Sequence, residues 1–215
     1  MATRSVFVTG ATGYLGLPLV QALLERGHEV RALVRAPSLR KLPNGVEGIV
    51  GDALVAASYA GRVKAGDVFV HLVGVAHPSP SKADEFKSID LASVVAAAAN
   101  AKAAPASRFV YVSVAQPAPM MKDYLEVRAA GEAAIRETGL PATFLRPWYV
   151  LGPGHLWPYF LIPFYGIARL FPGSRESALR LGLVRRAQMI RALVRSVESD
   201  QPGVEILDVP AIRSS

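Results

Sequence analysis

The chain has 215 residues, a length that suits one ordinary domain with a small appendage. Hydrophobic residues make up 51% and charged residues 19%, which excludes a disordered chain, and the lack of cysteine excludes disulfides and thiolate metal sites. The formal net charge of +7 admits phosphorylated ligands, nucleic acid or anionic lipid.

Much of the excess charge is local: residues 169–195 hold seven arginines and one acid, Glu176. Such a run reads first as a solvated basic face. No helix-turn-helix, zinc-finger or RNA-binding aromatic pattern accompanies it, so no nucleic-acid partner is expected. Met1-Ala2-Thr3-Arg4 leads straight into a strand pattern, without the apolar run of a secretory signal. With the missing cysteines, this gives a cytoplasmic expectation.

In chain order, Ser5 to Thr9 (SVFVT) reads as a buried strand. Tyr14 to Arg26 follows as a helix, with Leu15, Leu19, Leu23 and Leu24 at helical spacing and Gly27 as its stop. Glu29 to Val34 is a second strand, Val46 to Val50 a short third, and Asp67 to Val73 a fourth. Ser81 to Ala103 is alanine-rich and helical; Arg108 to Val114 is a fifth strand. Asp123 to Glu137 is helical up to Gly139, and Ala142 to Leu145 is a sixth strand. Near-continuous apolar strands alternating with helices predict an α/β fold, a doubly wound parallel sheet covered on both faces.

After Arg146 the composition shifts to proline and aromatics, from Trp148 to Phe171. Arg186 to Ser199 reads as an amphipathic helix with Met189, Leu193 and Val197 on one face, and Val204 to Val209 as a last short strand. Residues 1–215 therefore read as one α/β domain whose 147–215 region forms a small lid over the carboxyl edge of the sheet, where ligands of such sheets bind.

The strongest signal is Thr9-Gly10-Ala11-Thr12-Gly13-Tyr14-Leu15-Gly16, a GxxGxxG spacing between a strand and a helix. Gly10 permits the tight turn, Gly13 lets backbone approach a diphosphate, and Gly16 lets the helix pack on the strand. The diphosphate would rest on the free N–H groups at the helix start.

This segment resembles the fingerprint of extended and atypical short-chain dehydrogenases/reductases. The resemblance continues in Gly51-Asp52, similar to the pair that reaches the adenine, and in His71-Leu72-Val73-Gly74, similar to the fourth strand's end beside the cofactor. Leu145-Arg146-Pro147 with Gly152-Pro153 is similar to the family's LRP…GP segment. The nearest branches are the NAD(P)H-binding, NmrA-like and complex-I-accessory-subunit-like ones. The resemblance implies cofactor contacts from Gly10, Thr12, Gly13, Tyr14, Leu15, Gly16, Asp52, Val73, Gly74 and Pro147.

The second strand ends Leu33-Val34-Arg35, without the acid that binds ribose hydroxyls in NAD-specific sheets. A guanidinium grips a 2′-phosphate that a carboxylate would repel. Arg35, helped by Ser38 and Arg40, thus favours NADP(H), with NAD(H) the alternative; Arg31 lies at the strand's other end. The family's carbonyl reducers also carry a Ser/Thr and a Tyr followed four residues on by Lys. Here the candidates are Ser113, Tyr124 and Arg128, the last two on one helical face. Tyr would exchange the carbonyl proton while a nearby cation lowers its pKa. Arg in place of Lys is a departure, since it is longer, planar and permanently charged.

His77 and His155 fall in loops where either could touch substrate, and no His/carboxylate spacing suggests a metal. The segment His155 to Tyr165 is apolar but too short and proline-broken to span a bilayer. It reads as a cover for a substrate pocket, with a subunit interface, hence a homo-oligomer, and membrane-surface contact as lesser alternatives. Three functions rank in order: an NADP(H)-dependent oxidoreductase on a small apolar carbonyl, a non-catalytic cofactor sensor or assembly protein, and a nucleotide-sugar epimerase or dehydratase.

Overall fold

The computed structural model describes residues 3–75, 78–118, 120–153 and 180–215. Its centre is a seven-stranded parallel sheet in the order β3-β2-β1-β4-β5-β6-β9. The strands are β1 (Ser5–Thr9), β2 (Glu29–Val34), β3 (Glu47–Val50), β4 (Val68–His71), β5 (Arg108–Val112), β6 (Ala142–Leu145) and β9 (Val204–Leu207). The order reverses between β1 and β4, so a crevice opens there at the carboxyl ends, where Thr9 pairs with His71.

Alternation along the strands sends neighbouring side chains to opposite layers. Val6 and Val8 face a core shared with α1 (Gly16–Glu25) and α5 (Arg186–Glu198), through Leu19, Leu23, Met189 and Leu193. Phe7 faces the other core, against α3 (Ala92–Ala103) and α4 (Lys122–Arg136), through Val94, Ala97 and Ile135. The parallel register sets Phe7, Phe69 and Phe109 side by side, with ring centroids 5.3 and 5.0 Å apart. All three are fully buried, each contributing about 1.5–3 kcal/mol. The alanines of α3 let that helix approach the sheet closely.

The alanine-rich helical stretch begins as a short turn, Pro80–Lys82, and continues through α2 (Ala83–Glu85) and a π-helical segment, Phe86–Leu91, before α3. Two short strands, β7 (Tyr149–Leu151) and β8 (Leu183–Arg185), pair as a separate parallel ribbon. The last strand stops at Leu207 rather than Val209. Asp208 accepts from the Ala211 N–H at 2.9 Å and caps a final helix, α6 (Val209–Ser214), with proline in its first turn. Within the 147–215 region, β9 extends the sheet beside β6, and α5 packs into the core against α1. Among the described residues no helix is long and apolar enough to cross a membrane.

Candidate functional site

The loop from β1 to α1 is built by three glycines with different demands. Gly10 has φ +76°, and a Cβ there would stand 2.8 Å from the Leu72 carbonyl carbon. A Cβ on Gly16 would sit 2.6 Å from the Ala11 backbone and closer still to the Gly10 oxygen. Gly13 is looser: its N–H donates to the Gly10 oxygen at 3.0 Å, and a Cβ would lie 3.2 Å from that oxygen. Helix α1 has neither a side-chain cap nor an acid in its first turn, so its leading N–H groups and positive dipole end are not satisfied by an internal anion.

A cleft of about 500 Å³ passes this loop at the β1/β4 crevice. Gly10, Thr12 and Gly13 form its middle, Arg35, Ser38 and Asp52 line it on the β2/β3 side, and Val73, Gly74 and Val75 line it on the β4 side. Arg35 is exposed. Asp52 is set by a local turn: its Oδ1 accepts from the Leu54 N–H at 2.9 Å. Arg31 is buried, paired with Asp67, and donates to the Arg62 carbonyl. Arg40 lines a separate surface hollow with Ala36, Pro37 and Leu39.

At the β4 end, Arg128 of α4 comes up behind Gly74. A Cβ on Gly74 would collide with Arg128 Nη2 and stand 3.1 Å from Asp90 Oδ1. Arg128 is 6% exposed and Asp90 is 1% exposed; their ion pair measures 2.5 Å. Arg128 Nη1 donates to the Val112 carbonyl at 2.9 Å and to the Tyr111 hydroxyl at 3.3 Å. Its guanidinium carbon lies 5.1 Å from the Tyr124 ring centroid, so the cation rests on the ring of Tyr124, which is half-buried. Burial works against the Arg128 charge, but Tyr124, Tyr111 and Asp90 outweigh it and hold the group above its ordinary value. Burial raises Asp90 above the usual carboxylate range, against the pull of Arg128 and of the Val75 N–H, which donates to Asp90 Oδ2 at 3.0 Å.

With this geometry, a family model described as NAD(P)H-binding matches residues 10–153. The chain belongs to the NAD(P)H-binding family. Its relatives are extended short-chain dehydrogenases/reductases. A ceramide reductase of Caulobacter vibrioides is 34% identical over 153 residues, covering 69% of this chain and 47% of the relative. A 3 beta-hydroxysteroid dehydrogenase/Delta 5-->4-isomerase of Mycobacterium tuberculosis is 35% identical over 114 residues, covering 50% and 31%. The chain thus spans half or less of the length of these curated relatives. The Bordetella bronchiseptica enzyme WbmH in complex with NAD+ superposes with a TM-score of 0.70 at 20% identity, covering 96% of this chain and 75% of that one. A UDP-galactose 4-epimerase superposes with a TM-score of 0.70 at 19% identity, covering 95% and 76%. These likenesses establish the doubly wound fold.

The family's Ser/Tyr/basic pattern separates here into two clusters. Tyr124 and Arg128 meet over Asp90, as their spacing implies. Ser113, just after β5, instead donates to Glu132 Oε1 at 2.6 Å. Glu132 is 4% exposed and is gripped by Arg146 through both oxygens, at 2.9 and 2.6 Å. Pro147 is buried, its carbonyl accepting from the Ala115 N–H at 3.0 Å. Tyr14 turns under Gly152, with the Arg186 guanidinium 5.2 Å from its ring, and Leu15 packs on the core beside α1.

Asp90 and Glu132 were not singled out from sequence. Glu132 carries a usable signal, since residues 124, 128 and 132 repeat every fourth position along one face of α4. Asp90 carries a fainter one: an acid set between the apolar Ile89 and Leu91. His77, His155 and the aromatic segment 155–171 lie outside the described residues.

Proposed function

We propose that the chain is an oxidoreductase that interconverts a small apolar carbonyl and its alcohol, with NADP(H) preferred over NAD(H). The observation that carries this reading is the single cleft running from Arg35, past the glycine loop, to Gly74 with Arg128 behind it. The cradle suits a dinucleotide. Arg35 and Ser38 would hold a 2′-phosphate, Asp52 the adenine side, the amides around Gly13 and the α1 N-terminus the diphosphate, and Val73 to Val75 the nicotinamide half. The bound nicotinamide supplies or accepts the hydride.

The chain's own residues would handle the proton. The Tyr124 hydroxyl would give it to, or take it from, the substrate oxygen, with the Arg128 guanidinium packed on its ring to hold it in place. Arg128 cannot itself take part in proton transfer, because it stays charged. Ser113 already donates its proton to Glu132, so its remaining lone pairs would accept a hydrogen bond from an alcohol rather than donate one to a carbonyl. The names of the relatives, a ceramide reductase and a hydroxysteroid dehydrogenase, support an apolar substrate class.

A second reading has its own observation. Asp90 neutralises Arg128, and the guanidinium is committed to the Val112 carbonyl and Tyr111, which suits a cofactor sensor that does no chemistry. One experiment separates the two. Protein saturated with NADPH is offered a panel of quinones, aldehydes, ketones and UDP-galactose, and loss of nicotinamide absorbance is followed alongside product analysis. Turnover that vanishes in Tyr124→Phe supports the oxidoreductase; tight NADPH binding with no turnover across the panel supports the sensor. Sugar interconversion without net absorbance change supports an epimerase.

A further inference from the structure

We propose that the buried Asp90–Arg128 pair sets how strongly the cleft distinguishes oxidised from reduced nicotinamide cofactor, by holding the charge behind Gly74 near zero. The inference rests on the dinucleotide reading above and deepens it, because it concerns the redox state the site prefers.

The argument starts from charge. A nicotinamide ring is cationic when oxidised and neutral when reduced, so a nearby fixed charge acts on one form and hardly on the other. Arg128 is a permanent cation, and its Nη2 occupies the place that a Cβ would take on Gly74, a residue that lines the cleft. Only the thickness of the Gly74 backbone separates that cation from the bound ligand's space. Left alone there, it would disfavour the oxidised form.

Asp90 cancels it. One oxygen is 2.5 Å from Arg128 Nη2, and the other accepts the Val75 N–H at 3.0 Å, so the carboxylate is fastened both to the cation and to the backbone next to Gly74. Its carrier is the π-helical segment Phe86–Leu91, a form that is rare and frequent at functional sites. Among the described residues, the charged side chains lining the cleft, Arg35, Asp52, Lys82 and Glu85, balance in sign. A buried ion pair is a poor device for stability alone, because desolvating both partners offsets their attraction. Its position against the cleft wall gives it another use.

The test measures binding, not turnover. Dissociation constants for the oxidised and reduced forms of the tighter-binding cofactor are determined by calorimetry and fluorescence. The proteins are the wild type, Asp90→Asn, Arg128→Met and the double variant. Either 2′,5′-ADP or ADP, which lacks nicotinamide, serves as the control ligand. In the wild type the two redox forms should bind within roughly fivefold of each other, and a difference beyond roughly thirtyfold overturns the proposal without any variant. Asp90→Asn should weaken the oxidised form relative to the reduced one by roughly tenfold, and Arg128→Met should shift the ratio the other way. The double variant should return it to the wild-type value, and the control ligand should bind all four alike. Equal shifts of both redox forms, or no shift, with the control still bound, refute the charge role alone. Wild-type protein that binds neither cofactor nor control refutes the dinucleotide reading itself.

Discussion

Gly13→Ala should weaken nucleotide binding by about a hundredfold while leaving the fold intact, and the structure gives both halves of that expectation. Gly13 does not have the left-handed φ of Gly10, and a Cβ there would lie 3.2 Å from the Gly10 oxygen with no other close neighbour. That contact asks for a shift of a few tenths of an ångström. Alanine also restricts the unfolded chain, worth about 0.4–1 kcal/mol in favour of folding. The two effects nearly cancel, so stability should change by less than about 1 kcal/mol and the melting temperature by less than about 4 °C. The new methyl would stand where backbone must approach the diphosphate. Losing two charge-assisted hydrogen bonds of about 1.5 kcal/mol each weakens binding on the order of a hundredfold. Gly10→Ala is the contrasting variant: positive φ and a Cβ 2.8 Å from the Leu72 carbonyl carbon should cost about 2–5 kcal/mol of stability. Thermal melts and NADPH titration of both variants check the reasoning. A folded Gly13→Ala that binds NADPH like the wild type would refute it.

Three further outcomes follow from other parts of the molecule. Arg35→Ala should weaken NADPH by roughly tenfold or more while leaving NADH nearly unchanged, because only the 2′-phosphate loses a charge-assisted partner; parallel calorimetry reads the ratio, and an equal loss for both cofactors would remove Arg35 from the discrimination. His71 is buried between Thr9 and Ser93, and burial, with the Arg128 cation beside it, lowers its pKa from 6.5 to about 3. The unfolded chain therefore binds a proton that the folded chain refuses, and stability should fall as pH drops from about 6.5 toward about 3. Urea midpoints measured across that range should be steeper in the wild type than in His71→Gln, and identical slopes would contradict the assignment. Asp67→Asn strands the buried Arg31 charge and should cost about 3–5 kcal/mol without changing nucleotide selectivity, since that pair lies at the far end of β2 from Arg35.

The parts of this molecule that could be read from sequence are those fixed by neighbours in the chain. The strand–glycine loop–helix at 5–25 is one, because Gly10 and Gly16 answer to backbone atoms of the adjoining segments. Strands β1, β2, β4, β5 and β6 are another, since buried parallel strands are nearly continuously apolar, whereas β3 is mostly exposed. The fourfold spacing of Tyr124 and Arg128 was also sufficient to place them on one face. What stayed hidden depends on partners distant in sequence. Strands β7 and β8 have three residues each, and the chain between them is long, so neither carries a period of its own. Asp90 reaches Arg128 across 38 positions, and Ser113 finds Glu132 across 19. A glutamate on an exposed-looking helix reads as solvated until the fold brings Arg146 to it. The final helix was legible and overlooked: Asp208 followed by a proline two residues on is a helix start, not the end of a strand.

Hydrogen exchange read by mass spectrometry, with and without saturating NADPH, tests the central claim most directly. The account expects added protection in two separated segments, the amides of residues 10–17 at the glycine loop and those of residues 73–75 at the end of β4, with residues 35–38 following when the 2′-phosphate is present. Exchange that is unchanged at both, or protection confined to another face of the sheet, would contradict it.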